Sequence, residues 1–179
     1  MDHSILRSGN LKLRAIEPGD IDFIHLLEND PETWRAGETL IPYSRFQIEQ
    51  YVLSSQHDLY AERQLRLMIE LEEADRPRRI IGMADLFDFD PRNSRAGVGI
   101  MIIPEFRNQG YAAKAIKGLI TYSFEVLSLH QLHCSISGDN LPSIRVFEKN
   151  GFTRCGIRKD WRVENGKWTD EILYQLIRS

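Results

Sequence analysis

The sequence predicts an α/β domain whose first half is an antiparallel sheet and whose centre holds one parallel strand pair. Three observations carry this. Residues 65–71, 80–89 and 96–103 are successive strand-like runs, and the third is nearly all apolar, as a buried central strand is. A long helical pattern lies between that run and a further strand at 132–137, and such a strand–helix–strand crossover is parallel and right-handed. Near the end, Asn165-Gly166 separates strand-like runs at 154–164 and 167–177, the strongest short-range hairpin signal.

The elements follow in order. Asn10-Leu11-Lys12-Leu13-Arg14-Ala15-Ile16 alternates as a short strand. Pro18-Gly19-Asp20 interrupts it, and Asp20 caps a helix whose Ile21, Phe23, Ile24 and Leu27 share a face. Residues 45–56 read as a second amphipathic helix through Phe46, Ile48, Tyr51, Val52 and Leu53. Acidic Glu70, Glu72, Glu73 and Asp75, followed by Arg76-Pro77-Arg78-Arg79, read as a solvated hairpin loop. Pro104 stops the central strand. Ala112, Ile116, Leu119, Ile120, Phe124 and Leu127 recur at helical spacing, and residues 142–149 form a last helix that Asn150-Gly151 ends.

The chain has 179 residues, with 23 Lys and Arg against 26 Asp and Glu, for a net charge of −3. That length suits a single domain over residues 1–179. The near-neutral charge argues against a nucleic acid held by bulk charge. No apolar run reaches the roughly 20 residues that span a bilayer, so no membrane partner is expected. The opening Met1-Asp2-His3-Ser4-Ile5-Leu6 lacks a basic stretch followed by an apolar one, so no secretory leader is expected. Cys134 and Cys155 form no CxxC and no disulfide framework, which predicts a reducing, cytoplasmic location.

The stretch richest in chemistry is Ile102-Ile103-Pro104-Glu105-Phe106-Arg107-Asn108-Gln109-Gly110-Tyr111-Ala112-Ala113. A buried strand ends, a short loop follows, and a long helix starts near Gly110. The first turn of a helix has unpaired N–H groups and a partial positive charge, which suit a phosphate or pyrophosphate. Gly110 lets the chain approach the anion, and the small Ala112 and Ala113 keep side chains clear. The spacing matches neither GxGxxG nor GxxxxGK[ST]. An ordinary strand–helix turn is the plain alternative.

Arg107-x-x-Gly110-x-Ala112 resembles the Q/R-x-x-G-x-G/A motif with which the GNAT N-acetyltransferases cradle the pyrophosphate of acetyl-CoA. Asn140-x-x-Ser143-x-x-x-Phe147-Glu148-Lys149-Asn150-Gly151-Phe152 is similar to the same family's N-x-x-[SA]-x-x-x-[YF]-x-K-x-G-F run. The opening Leu11-Lys12-Leu13-Arg14-Ala15 and the closing Glu164-Asn165-Gly166-Lys167-Trp168-x-Asp170 resemble the subgroup of spermidine and ribosomal-protein N-terminal acetyltransferases. The likeness spans essentially the whole chain.

That resemblance implies a mixed, mostly antiparallel twisted sheet with a central splayed parallel pair flanked by helices. It implies an acetyl-CoA-dependent N-acetyltransferase that moves the acetyl group directly to a primary amine in a ternary complex, the acceptor being a polyamine, another small amine or a protein N-terminus. The pantetheine arm would lie in the splay against main-chain groups of Ile100, Met101 and Ile102. Arg107, Asn108, Gln109, Gly110, Tyr111, Ala112 and Ala113 would hold the pyrophosphate. Asn140 matches the family asparagine beside pantetheine, with a helix N-cap as its alternative. Lys149 would approach a phosphate, or else be a solvated helix-end lysine. A homodimer is compatible with this reading, and no metal is called for.

The chain departs from the family at two catalytic positions. Phe147 stands where many relatives have a tyrosine acid, and Gly97 where the spermidine enzymes have a glutamate. An alkyl ammonium has a pKa of about 10.4 and must lose a proton before attack, and the leaving thiolate benefits from a donor. Ser143, on a first helix turn, is the expected substitute acid. Asp85 is the expected base; at i, i+3 it and Asp88 would face opposite sides of a strand. Glu38, His25 and Tyr43 are weaker candidates, and His133 beside Cys134 reads as strand packing. These departures also admit a rival, a non-catalytic acyl-CoA-binding or regulatory module.

Overall fold

The computed structural model describes residues 5–37, 41–54, 58–74, 76–164 and 166–178. Its strands are β1 (Arg7–Ser8), β2 (Leu11–Ala15), β3 (Leu65–Leu71), β4 (Arg79–Asp90), β5 (Arg95–Ile102), β6 (Gln131–Ser137), β7 (Thr153–Glu164) and β8 (Lys167–Ile177). They form one sheet in the order β1-β2-β3-β4-β5-β6-β8-β7, antiparallel at every step except the parallel β5–β6 pair. The helices are α1 (Ile21–Glu28), α2 (Pro31–Gly37), α3 (Arg45–Ser54), α4 (Leu59–Glu62), α5 (Tyr111–Thr121), which runs on into a π-helical turn, and α6 (Leu141–Lys149). Among the described residues no helix is long and apolar enough to cross a membrane.

Alternation along the strands gives each face its own core. On one face, Leu13, Ile69, Leu86, Val98 and Leu132 pack with Ile116 and Leu119 of α5 and Phe147 of α6. On the other, Met68 and Met83 pack with Ile24 and Leu27 of α1 and Ile48 and Val52 of α3. In α3 the expected apolar stripe is narrower than its composition suggested, for Phe46 and Leu53 are exposed. Met101 of β5 joins that second core, and beyond it Phe87, His133, Arg158 and Gln175 border an open cavity.

Two short helices had no counterpart in the periodic pattern, because caps rather than periodicity define them. The Glu32 N–H that opens α2 donates to the Asp30 carboxylate at 2.7 Å, beside Pro31. Asp58 accepts from the N–H groups of Tyr60 and Ala61 at the head of α4. The half-buried guanidinium of Arg14 ties β2 to β3 and to the turn before α1. It donates to Asp20 at 2.7 and 2.8 Å and to Glu70 at 2.7 Å. Burial works to raise the Asp20 pKa, but the bonds from Arg14 and from the Glu17 N–H outweigh it and hold the carboxyl below its usual range.

Candidate active site

The site is built around a splay. β5 and β6 pair at Arg95–Gln131, Ala96–Leu132 and Gly97–His133, and then part, while β6 continues on β8. The Ile103 N–H donates to the Ile81 carbonyl at 3.0 Å. By alternation, Ile103, Met101 and Gly99 turn their main-chain groups to β4, whereas Val98, Ile100 and Ile102 turn theirs into the gap. Of Ile100, Met101 and Ile102, the first and last thus face the gap with main-chain groups, while those of Met101 face β4 and its sulfur accepts from the Thr33 hydroxyl at 3.2 Å.

The loop after β5 rises through a single 3₁₀ turn, Pro104–Phe106. Asn108 (φ 60°) and Gly110 (φ 80°) take left-handed conformations, and no side chain caps α5. The first-turn amides at Tyr111, Ala112 and Ala113 thus keep their anion-binding capacity. A Cβ at Gly110 would meet nothing within 4 Å, so open space lies before the helix end. The Nε of Arg107 donates to the Ile102 carbonyl at 2.9 Å, and its Nη1 to Glu32 at 2.7 Å. The Gln109 amide turns back to the Glu105 carbonyl at 2.9 Å. Lys114 lies over the Tyr111 ring, a cation beside the loop that the motif did not point to.

On the same face of the sheet, the Asn140 side chain accepts from the Ser143 N–H at 3.2 Å and so caps α6. Ser143 belongs to the first turn of that helix. Lys149 is exposed at the other end, about 12 Å away at 1.5 Å per residue, and is not brought to Asn140 and Ser143. Phe147 is buried edge-to-face on Phe152.

The opposite face holds the remaining candidates. Gly97 and Gly99 present no side chains there, and the Phe87 ring lies over them: a Cβ at Gly97 would approach it to 2.3 Å. The Phe87 ring meets His133 edge-to-face, with centroids 6.1 Å apart. Burial lowers the His133 pKa and Arg95 adds to that, while Asp88 opposes it, so the imidazole is neutral at neutral pH. His133 alternates with the buried Leu132 and Cys134, and this alternation was the available sequence signal that it faces the other way.

Asp85 faces Gly99, but both its oxygens accept from Arg66, at 2.8 and 3.2 Å. Arg66 also bonds Glu28 and lies over the Tyr51 ring. Burial alone would lower the Arg66 pKa, yet Asp85 and Glu28 more than reverse that. Asp88 sits at φ 47° where the β4–β5 register is irregular, and it lines the same open face as Phe87. The irregularity breaks strict alternation, so the expected opposition of Asp85 and Asp88 does not hold.

His25 lies on α1. Tyr43 bonds the Asn29 side chain through its main chain, and Glu38 lies outside the described residues. Burial, with Cys155 nearby, pushes the Cys134 thiol up to about 12, so it is no thiolate at neutral pH. Among the described residues no three His, Cys, Asp or Glu side chains gather as a metal-binding group.

Residues 10–153 match the acetyltransferase (GNAT) domain. The chain belongs to the GNAT acetyltransferase family. It is 30% identical over 176 residues to a spermidine N(1)-acetyltransferase of Vibrio cholerae, covering 96% of this chain and 95% of the relative. Its fold superposes on a crystal structure of the spermidine N-acetyltransferase of Vibrio cholerae in complex with CoA and spermine. The TM-score is 0.84 at 25% identity, covering 95% and 96% of the two chains. A dodecameric structure of the Vibrio cholerae spermidine N-acetyltransferase matches with a TM-score of 0.78 at 25% identity, covering 95% of each chain. The chain is thus an N-acetyltransferase, with acetyl-CoA as donor and an amine as acceptor. The uncapped α5 terminus, the space before Gly110 and the inward main-chain groups of Ile100 and Ile102 fit that donor.

Proposed function

We propose that the amine approaches from the open face of the sheet and that His133 takes its proton. The donor lies on the face of α5 and α6. Acetyl-CoA supplies an activated thioester; the chain orients it and moves protons. The main-chain N–H of Ile100, the first inward one beyond the last β5–β6 bridge, is the donor available to an oxyanion in the gap. Ser143 sits on the donor's side, where a hydroxyl can protonate the departing sulfur. Base and acid thus flank the gap from opposite faces, as direct transfer in a ternary complex requires. Asp85, bonded through both oxygens to Arg66, acts as an anchor for the strand floor.

One observation carries the reading: a half-buried, neutral imidazole stands where β5 and β6 part. The acceptor class includes small amines, polyamines and peptide N-termini. The place of the spermidine-type glutamate is filled here by Gly97 and the Phe87 ring. Self-association belongs to the same reading, since the β7–β8 hairpin leaves Trp161, Val163 and Trp168 exposed. Free cysteines at 134 and 155 suit a reducing, cytoplasmic setting.

The test is His133→Gln, with thiol release followed against pH. Loss of a general base lowers kcat/KM by about 10²- to 10⁴-fold and removes the acidic limb of the profile. A variant within threefold of the parent, with an unchanged profile, refutes the assignment.

A further inference from the structure

The open face is a basin of about 620 Å³ whose charged lining is mixed rather than acidic. Arg63, Arg95 and Arg158 border it, against Asp88 and Asp90, with His133 at its floor. The two carboxylates are not equivalent. Asp90 accepts from the Asn93 N–H and side-chain amide and pairs with Arg95 at 3.2 Å. Asn93's bonds hold its pKa below the usual carboxylate range. Asp88 is the carboxylate left to meet a substrate ammonium. Arg158 is in turn bonded to Glu171 at 2.7 Å, so with Arg95 on Asp90 the lining sets Arg63 against Asp88, one cation against one carboxylate; a polyamine needs a carboxylate for each of several ammonium groups. The guanidinium fork instead matches the planar oxygens of a carboxylate or phosphate.

Backbone conformation points to the same place. Among the described residues six non-glycine residues have positive φ, and two of them, Arg63 (53°) and Asp88 (47°), border this basin. Aspartate tolerates that region better than most residues, arginine does not. The Arg63 carbonyl accepts from the Phe89 N–H at 3.0 Å, which fixes the end of α4 against β4. An uncommon conformation held in place on both sides of one cavity is what a specificity-setting pair presents.

We propose that the acceptor is a primary amine that also carries an anionic group: Asp88 receives the ammonium and Arg63 receives the carboxylate or phosphate. This rests on the reading that the basin is the acceptor side of the acetyltransferase. The amine, once deprotonated by His133, attacks the thioester carbonyl. The C–N bond forms as the C–S bond breaks, and the proton passes to solvent while the thiolate is protonated.

The experiment compares kcat/KM for a dipeptide with a free C-terminal carboxylate, its C-terminal amide, 2-aminoethyl phosphate and spermidine, each with saturating acetyl-CoA. The carboxylate or the phosphate form is expected to exceed both the amide and spermidine by at least tenfold, and whichever of the two leads identifies the anion. Arg63→Gln and Arg63→Ala, on an exposed side chain, should bring that ratio towards one by raising KM with kcat kept. Thermal melting with acetyl-CoA checks that the variants are folded and bind donor. Spermidine or the amide matching the anionic amines overturns the proposal while leaving the acetyltransferase reading intact. No turnover of any acceptor, with acetyl-CoA still bound, overturns the proposal and the acceptor-side reading together.

Discussion

Asp85→Asn separates an anchoring role from a proton-accepting one. In the folded chain the Arg66 guanidinium is held between Asp85 and Glu28, with side-chain exposures of 17%, 21% and 13% for Arg66, Asp85 and Glu28. Removing a partner from a buried ion pair costs about 3–5 kcal/mol. Here Glu28 remains and water still reaches the group, so roughly half of that, ~2 kcal/mol, is expected. With a urea m-value of about 2 kcal/mol/M, the midpoint should fall by about 1 M. The assay is urea unfolding followed by tryptophan fluorescence, paired with thiol release measured where both proteins are fully folded. An anchor predicts the midpoint shift and a transfer rate within about tenfold of the parent. An unshifted midpoint with transfer slowed 10²-fold or more would mean that Asp85 is the base and that the Arg66 argument fails.

Three further outcomes follow from the same geometry. Gly110→Ala puts an L-residue at φ 80°; it should cost about 1–2 kcal/mol of stability and raise the KM for acetyl-CoA while leaving that for the amine unchanged, as steady-state kinetics would record. Gly97→Ala drives a methyl into the Phe87 ring; overpacking should cost about 1–3 kcal/mol, and a Phe87→Leu background should recover much of it in thermal melts. Asp20→Asn removes a carboxylate whose folded pKa lies below its ordinary value of 3.8. Its contribution is therefore complete above pH 3.8 and lost as pH falls through the folded value, so the stability gap between parent and variant, measured by urea unfolding, should be full at pH 6 and close below about pH 4.

The periodic elements were legible because their periodicity is the packing itself. Leu132, Cys134 and Ile136 alternate because one face of β6 is core, and Ile116 and Leu119 recur because one stripe of α5 is. The anion loop was legible from Gly110, where a left-handed turn disfavours any residue with a Cβ. What stayed hidden arises from cross-chain encounters that carry no local pattern. Arg66 meets Asp85 and Glu28 from positions 19 and 38 residues apart. Arg107 meets Glu32 across 75 residues. Met101 turned from the gap because a ladder parity set by Ile103 and Ile81 decides it, and that parity needs the partner strand's register. His133 looked like packing because its neighbour across the sheet, Phe87, is 46 positions earlier in the chain.

The parting of β5 from β6 leaves the main-chain groups of Ile100 and the N–H of Ile102 as a strand edge that β6 does not pair, in the middle of a sheet. Outer edges of that kind are where chains adhere to one another, and proteins usually blunt them with charge or proline. This one needs no such guard. A foreign strand must keep about 4.8 Å to the neighbour on either side over several residues, a constancy that two strands converging to pairing distance at Gly97 and His133 do not offer. A single flexible thread tapering into the apex can still enter. The same divergence of two strands therefore makes the edge adhesive to a slender ligand and inert towards another polypeptide.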